Sequence, residues 1–161
     1  MHATVTWERN LSFVGVAESG FPVRMSSPSG PAAGAGPVEL TIMALAACTA
    51  MDVISMLLKK QERVTEFHVE VHAERTTSYP QVITSAELDY VVSGRGVHEA
   101  SLRRAIELSV EKYCPVHAML SKAFPISIKY SILESSRGIA PRLVKQGRCS
   151  ERDASPASGS S

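Results

Sequence analysis

The chain has 161 residues, of which 44% are hydrophobic and 20% charged, with 17 Lys and Arg against 16 Asp and Glu. This length suffices for one domain with a sizeable core, and the near-neutral charge gives no indication of a nucleic-acid or acidic-membrane partner. No export signal is expected, and three cysteines are too few for a disulfide framework. We therefore expect a cytoplasmic, reducing location, where paired cysteines are more typical of reactivity than of structure.

Three short β-rich segments open the chain. Residues 3–9 alternate in polarity, and residues 11–18 and 21–25 follow them after turn signals. Their short connections predict a three-stranded antiparallel meander. Residues 26–36, SSPSGPAAGAG, are of low complexity and predict a loop that leads into the next element.

Residues 37–60, PVELTIMALAACTAMDVISMLLKK, predict one long helix around which the fold is organised. Pro37 is tolerated as a first helical residue, and Glu39 at the start with two lysines at the end suits the helix dipole. The helix is apolar almost all round, which indicates burial in a membrane or a core. Small and polar residues, and the carboxylate of Asp52, disfavour a membrane span. We predict a central helix covered by sheet or by a second subunit, with Cys48 in its middle.

The second half of the chain predicts further strands and helices. Alternation indicates two strands that form a hairpin, and helical spacing follows until Pro115, because a proline pushes the residue before it out of helical geometry. Pro115 can itself open a short helix. The predicted elements are strands over 67–76 and 81–92, helices over 97–113 and 115–122, and a final strand over 125–133.

Strands and helices are grouped in this order, which predicts an α+β fold with antiparallel sheets around a long central helix. Six strands are few to cover so apolar a helix, which favours a dimer. We expect one domain over residues 1–134. Residues 135–161 are polar and rich in Gly, Ser and Pro, so they predict a flexible tail in which Cys149 is an exposed, incidental thiol.

Two cysteines are candidates for chemistry. Cys48 lies about three turns inside its helix, where the dipole no longer acts, so its thiolate would need a nearby cation. Cys114 ends one helix and caps the next, so the two helix dipoles act on it in opposite directions. The residues alone leave open which effect wins, and they leave open a second interpretation, in which both thiols are small buried core residues.

Metal and phosphate chemistry find less support. Cys114 and His117 supply only half of a zinc site, and His68 and His72 are predicted to lie on a solvated strand face. The sequence GRG at 94–96 predicts a turn and lacks the context of a phosphate-binding loop. We expect no metal and no organic cofactor.

Three segments together resemble the OsmC/Ohr superfamily, and most closely its small OsmC-like branch. The resemblance covers residues 3–133 and is specific as a set: a cysteine in the central helix and a second one before a short helix. The segments are PVELTIMALAACTAMDVISML, AERTTSYPQVITSAELDYVVSG and AIELSVEKYCPVHAML.

The resemblance implies an intertwined homodimer and a cysteine-based peroxidase that reduces organic hydroperoxides. Cys48 matches the peroxidatic cysteine, which forms a sulfenic acid, and Cys114 matches the resolving cysteine, which condenses with it. A dithiol reductant then reopens the disulfide. Family members hold the thiolate with a Glu and an Arg. Val38 stands at the position of that Glu and Glu39 follows it, and Arg24 is the only arginine between Asn10 and Cys48.

Two alternatives stand beside the peroxidase. The shifted Glu39 favours a non-enzymatic homodimer of the same fold that binds an apolar small molecule at the dimer cleft. A disulfide reductase or metal-binding module is the third hypothesis, and the lack of a C-x-x-C motif disfavours it.

Overall fold

The structure is a computed structural model that describes residues 1–27, 34–136 and 139–149. The described residues form two sheets and three α-helices, and a π-helical turn, Ser109–Tyr113, joins the second helix to the third. In chain order the elements are β1 (Ala3–Arg9), β2 (Ser12–Ala17), β3 (Pro22–Ser26), α1 (Pro37–Lys59), β4 (Arg63–Arg75), β5 (Ile83–Arg95), α2 (Glu99–Leu108), α3 (Pro115–Leu120), β6 (Ile126–Ser136) and β7 (Ile139–Cys149).

The chain divides into two compact units, and the first is Met1–Ala44. Its sheet has the order β1-β2-β3 with antiparallel pairing throughout, which confirms the predicted meander. The side chains of β1 are all exposed in the single chain, and Trp7 is 62% exposed. Of the predicted loop, residues 28–33 lie outside the described residues.

The second unit, Leu45–Ser161, contains a four-stranded sheet of order β4-β5-β6-β7 and the hydrophobic core. The alternation of the sequence is confirmed in both hairpin strands. The buried apolar side chains of β5 are Ala86, Leu88, Tyr90 and Val92. Those of β4 that pack against the core are Val64, Phe67, Val69, Val71 and Ala73, whereas its His and Glu side chains are exposed.

Helix α1 begins at Pro37 and ends at Lys59, close to the predicted bounds. It is the one helix of the described chain that is long and apolar enough to cross a membrane, with a mean hydropathy of 1.9. Its buried residues Leu45, Val53 and Leu57 belong to the hydrophobic core of the second unit. These residues form the one face of α1 that packs in the core, while much of the helix is exposed in the single chain.

One strand pair departs from the predicted antiparallel sheets. Strands β5 and β6 are parallel, with Tyr90 opposite Tyr130. Parallel neighbours need a crossover of a dozen or more residues, and α2, the π-helical turn and α3 provide it. The hairpin-like connections expected from the sequence hold for β1–β2, β2–β3 and β4–β5, and β7, which the sequence did not predict, forms a further antiparallel pair with β6.

The prediction of a flexible tail from residue 135 was wrong for residues 139–149. Strand β6 continues to Ser136, and β7 pairs with it in antiparallel register. Cys149 at the end of β7 is half-buried against the core, not exposed. Backbone pairing, the contact of Tyr130 with Gly147 and the ion pairs of Lys145 and Arg148 hold this strand, so its polar composition hid it. Residues 150–161 lie outside the described residues, and for them the tail stays a prediction.

Tyr130 lies directly over Gly147 in the neighbouring strand. The two residues are register partners, and a Cβ on Gly147 would overlap the Tyr130 hydroxyl and ring. The hydroxyl donates a hydrogen bond of 2.7 Å to Glu99 Oε1, so the ring is tied in place. Only glycine leaves room for the ring at this position.

We predict that Gly147→Ala lowers the free energy of unfolding by about 1–3 kcal/mol, because the added methyl group overpacks the site. Urea unfolding of the purified variant measures this. Gln146→Ala, at an exposed neighbouring position, is the control and should change the stability by less than about 0.5 kcal/mol. In a flexible tail Gly147→Ala would be neutral, and that result would contradict the position of β7.

Candidate functional site

Helix α1 fixes Cys48 through its neighbours on the buried face. Leu45, Thr49 and Val53 are fully buried, and Cys48 beside them is half-buried. The Thr49 hydroxyl donates to the Leu45 carbonyl at 3.2 Å and to the Ala46 carbonyl at 3.1 Å, so this buried polar group is satisfied within the helix. Cys48 therefore lies on a rigid element, at the border between core and surface.

The turn before α3 fixes Cys114. The chain leaves α2 through the π-helical turn, where the Cys114 amide donates to the Ser109 carbonyl at 2.8 Å. Pro115 then opens α3, and Cys114 becomes its extended N-cap residue. The Cys114 Sγ accepts a hydrogen bond of 3.3 Å from the His117 amide. The sequence predicted one helix over 97–113, and its last turn is instead the wider π-helical turn that turns Cys114 inward.

The two thiols meet. Cys48 Sγ and Cys114 Sγ are 2.7 Å apart, although 66 residues separate them in the chain. Sulfur atoms in a disulfide are about 2.05 Å apart, so a short approach would join these two. Their exposure differs, because Cys48 is half-buried and Cys114 is only 2% exposed. A molecule from solvent reaches Cys48 more readily than Cys114.

Burial decides the opposing effects on the Cys114 thiol. Loss of solvent raises its pKa to about 11, and the hydrogen bond with Cys48 acts in the same direction. The amides of His117 and Val116 at the start of α3 lower the pKa, but by less. A helix of six residues does not compensate for the desolvation of a charged thiolate. Cys114 is therefore protonated at neutral pH.

Asp52 and Ser109 connect the two cysteine-bearing segments. Asp52 lies one helical turn after Cys48, and the Ser109 hydroxyl donates to its Oδ2 at 2.9 Å. Ser109 is fully buried, and its carbonyl accepts the Cys114 amide. The sequence analysis did not select either residue as part of the site. Asp52 could have been selected from the sequence, because it is the only charged residue in an otherwise apolar stretch of helix.

A cavity of about 470 Å³ begins at Asp52. Its volume lies in the range of ligand pockets, and its walls combine apolar side chains with three cations. The lining residues are Asp52, Ser55, Met56, Lys59, Lys60, Arg104, Ala105, Leu108 and Tyr113. The cavity starts one helical turn from Cys48, and this gives an organic molecule room close to the thiol pair.

Arg24 and Glu39 both lie in the first unit and have local partners there. The Arg24 guanidinium donates to Glu8 Oε2 at 3.0 Å, and both side chains are well exposed. Glu39 Oε2 accepts the Gly36 amide at 2.6 Å, at the start of α1. Their action on Cys48 stays a prediction.

Metal ligands do not assemble in the described part of the chain. No group of three or more His, Cys, Asp or Glu side chains is placed to hold an ion there. His68 and His72 are exposed on β4, and the buried His117 lies next to Cys114 on α3.

The raised pKa of Cys114 predicts a loss of stability at high pH. The unfolded thiol loses its proton near pH 9 and the folded one near 11, so the folded state holds the extra proton between these values. The stabilisation is complete below pH 9 and is lost as the pH rises towards 11, by up to about 2 kcal/mol. Urea unfolding of the reduced protein between pH 8 and about 11 measures this.

Cys114→Ala is the control. In this variant the free energy of unfolding should fall less steeply between pH 9 and 11. Burial also raises the pKa of Tyr90, and Tyr90 is present in both proteins, so the difference between the two curves reports Cys114. Equal slopes in both proteins would contradict a buried, protonated thiol at this position.

Comparison with known proteins gives one consistent result. A family model described as "OsmC-like protein" matches residues 30–129. Protein YhfA of Escherichia coli K12 is 38% identical over 133 residues, which are 83% of this chain and 98% of YhfA. Residues 30–129, which the family model matches, contain both Cys48 and Cys114.

Solved structures share the fold at lower identity. A hypothetical protein of Aquifex aeolicus VF5 superposes with a TM-score of 0.75 and 24% identity, over 84% of this chain and 97% of that protein. The organic hydroperoxide resistance protein OsmC of Legionella pneumophila gives a TM-score of 0.59 and 11% identity, over 84% and 96%. At these identities the likeness concerns the fold alone.

Proposed function

The chain belongs to the OsmC-like protein family, and from this premise we propose that it is a thiol peroxidase that reduces organic hydroperoxides. The observation that carries the proposal is the contact of Cys48 Sγ with Cys114 Sγ at 2.7 Å. The fold class expected from the sequence is confirmed, and redox and hydroperoxide resistance proteins share it. A reducing cytoplasm is the proposed location.

The proposed reaction begins at Cys48. Its thiolate attacks the terminal oxygen of the hydroperoxide, the O–O bond breaks, and the substrate leaves as an alcohol after it takes up a proton. Cys48 becomes a sulfenic acid. The Cys114 sulfur then attacks the Cys48 sulfur, the S–O bond breaks, and the hydroxyl leaves as water with the Cys114 proton. A dithiol reductant reopens the disulfide through a mixed disulfide and takes the two oxidation equivalents.

The exposure of the two thiols and the raised pKa of Cys114 support these roles. Cys48 is half-buried and accessible to a substrate, whereas Cys114 is 2% exposed. Burial and Cys48 raise the pKa of Cys114 to about 11, so it stays a neutral thiol at pH 7. A neutral thiol does not compete for peroxide, because the thiolate is the nucleophile. Cys114 therefore acts only when an electrophilic sulfenic acid forms beside it.

Arg24 and Glu39 are the proposed residues that hold the Cys48 thiolate, as an Arg and a Glu do in the family. In the described single chain Arg24 binds Glu8, and Glu39 caps the start of α1. Exchange of Glu8 for the thiolate would let the Arg24 guanidinium stabilise the charge on Cys48. No cofactor is needed for this chemistry.

A homodimer is part of the proposal because α1 keeps an uncovered apolar face. Only 28% of the most hydrophobic 18-residue stretch of α1 is buried in the single chain. Met51 is 69% exposed and Leu58 is 58% exposed, and Ala47 lies on the same face. A contiguous apolar face of this kind is typical of an interface. A second copy of the chain, with the same face, would cover it.

We predict that Met51→Asp shifts the protein from dimer to monomer, because a carboxylate in an apolar interface would be buried without a partner. Sedimentation velocity of the reduced protein measures the shift. Val82→Asp is the matched control, since Val82 is also more than half exposed but lies between β4 and β5. A dimer that survives Met51→Asp would contradict an interface on this face of α1.

The peroxidase is tested by substitution of each cysteine. We expect Cys48→Ser to lower hydroperoxide consumption at least about 1,000-fold, since the thiolate is the nucleophile. Cys114→Ser should allow one turnover and then stop. The assay follows cumene hydroperoxide and hydrogen peroxide with excess dithiol, and mass spectrometry reads the Cys48–Cys114 bond. Cys149→Ser is the control and should keep full activity.

The outcomes separate the peroxidase from its alternative. Sustained turnover without Cys114 would remove its resolving role. No turnover and two free thiols in the wild type would favour a homodimer that binds a small molecule. The cavity of about 470 Å³ beside Asp52 is the observation in favour of that second function.

A further inference from the structure

Two arginines face each other at the end of the β4–β5 ladder. Arg63 and Arg95 are direct register partners across the two strands. Like charges in this position repel and destabilise a sheet. Neither guanidinium forms an ion pair with a carboxylate in the part of the chain that the structure describes. Both side chains are exposed, and an anion between them would relieve their repulsion.

A second cavity, of about 330 Å³, opens at this arginine pair. Its walls are polar and charged, which distinguishes it from the cavity beside Asp52. The lining residues are Lys60, Gln61, Glu62, Arg63, Arg95, Gly96 and His98. Lys60 adds a third cation without an ion pair among the described residues.

The backbone holds this cavity in shape at two sharp turns. Helix α1 ends with Gln61 at a φ of 59°, and the amides of Gln61 and Glu62 donate to the carbonyls of Leu58 and Leu57. This is a helix C-cap that returns the chain directly into β4. On the other side Gly96, at a φ of 62°, turns the chain from β5 into α2. The cations therefore stand on fixed elements.

The one carboxylate in the cavity wall is already engaged. Glu62 Oε2 accepts the His98 amide at 3.1 Å, and Oε1 lies 3.2 Å from His98 Nδ1. Burial would raise the pKa of Glu62, but hydrogen bonds from Ser101 and His98 outweigh it and the net shift is downward, so the carboxylate is ionised. Its side chain is only 6% exposed. The cavity wall therefore carries three cations and a single carboxylate, which is already hydrogen-bonded to His98. The net charge of the wall is positive.

We propose that this cavity binds a small phosphate ester, with the phosphate group between Arg63, Arg95 and Lys60. A guanidinium presents paired donors that match two oxygens of a phosphate, and a lysine adds a point charge. A dianion between the two arginines turns their repulsion into attraction. The volume leaves room for a small organic group beside the phosphate, and the polar walls select a hydrophilic one.

The site is separate from the thiol pair. Lys60 follows Cys48 by 12 residues, which is about 18 Å along a helix. Lys60 also lines the cavity beside Asp52, but none of the residues in the wall of the second cavity takes part in the proposed peroxidase reaction. The inference therefore stands on its own geometry and does not depend on peroxidase activity.

Calorimetric titration of the full chain with glycerol 3-phosphate tests the site, with glycerol and inorganic phosphate as comparison probes. We expect Arg63→Gln and Arg95→Gln each to weaken binding of the ester at least about 10-fold, because each removes a charge-assisted contact. Arg75→Gln is the matched control. Arg75 lies at the other end of β4, bound to Gln81, and its loss should leave the affinity unchanged.

Thermal unfolding at low ionic strength gives a second measurement. Without phosphate, Arg95→Gln should raise the Tm, because it removes the repulsion of Arg63. Glycerol 3-phosphate should raise the Tm of the wild type by mass action and leave that of Arg95→Gln almost unchanged. An arginine with a purely structural role would give the reverse, a lower Tm in the variant and no dependence on the ester.

Three results would overturn the proposal. The first is equal affinity for glycerol 3-phosphate and glycerol. The second is unchanged ester binding in Arg63→Gln and Arg95→Gln. The third is inorganic phosphate bound as tightly as the ester, which would assign the cavity to free phosphate and leave the organic group without a role.

Discussion

The site depends on the buried hydrogen bonds of Ser109. Its hydroxyl donates to Asp52 one turn beyond Cys48, and its carbonyl accepts the amide of Cys114. One residue thereby fixes the distance between the central helix and the turn before α3. A buried polar group must be satisfied, so the geometry has few alternatives. The 2.7 Å contact between the sulfur atoms joins the same two segments that Ser109 connects.

The same burial makes the two thiols unequal. Cys114 lies inside the core, where desolvation raises its pKa above its ordinary value, and the short helix α3 does not offset this. Cys48 lies at the border of the core. In the proposed reaction this inequality sets the order of events, since the accessible thiol meets the peroxide and the buried thiol meets only the product on Cys48.

The middle and the C-terminal end of α1 have different chemistry. Its middle carries Cys48 and leaves an apolar face uncovered, which the proposed second subunit would cover. Its C-terminal end, with Lys60, joins Arg63 and Arg95 in a polar cavity, where charge dominates and apolar burial does not. A single helix thus carries the proposed redox centre in its middle and leads into the proposed anion site at its end.

The sequence by itself determined the α1 helix, the meander and the faces of β4 and β5, because these depend on local periodicity and on helix-terminal residues. It also singled out Cys48 and Cys114 as candidates through the motifs that contain them. Only the tertiary structure decided the parallel pairing of β5 with β6, the place of β7 and the meeting of the two sulfurs. Strand β7 was missed because Tyr130 covers Gly147 from another strand, so its own composition shows little to bury. The balance of dipoles on Cys114 was likewise undecided, because burial depends on residues distant in the chain.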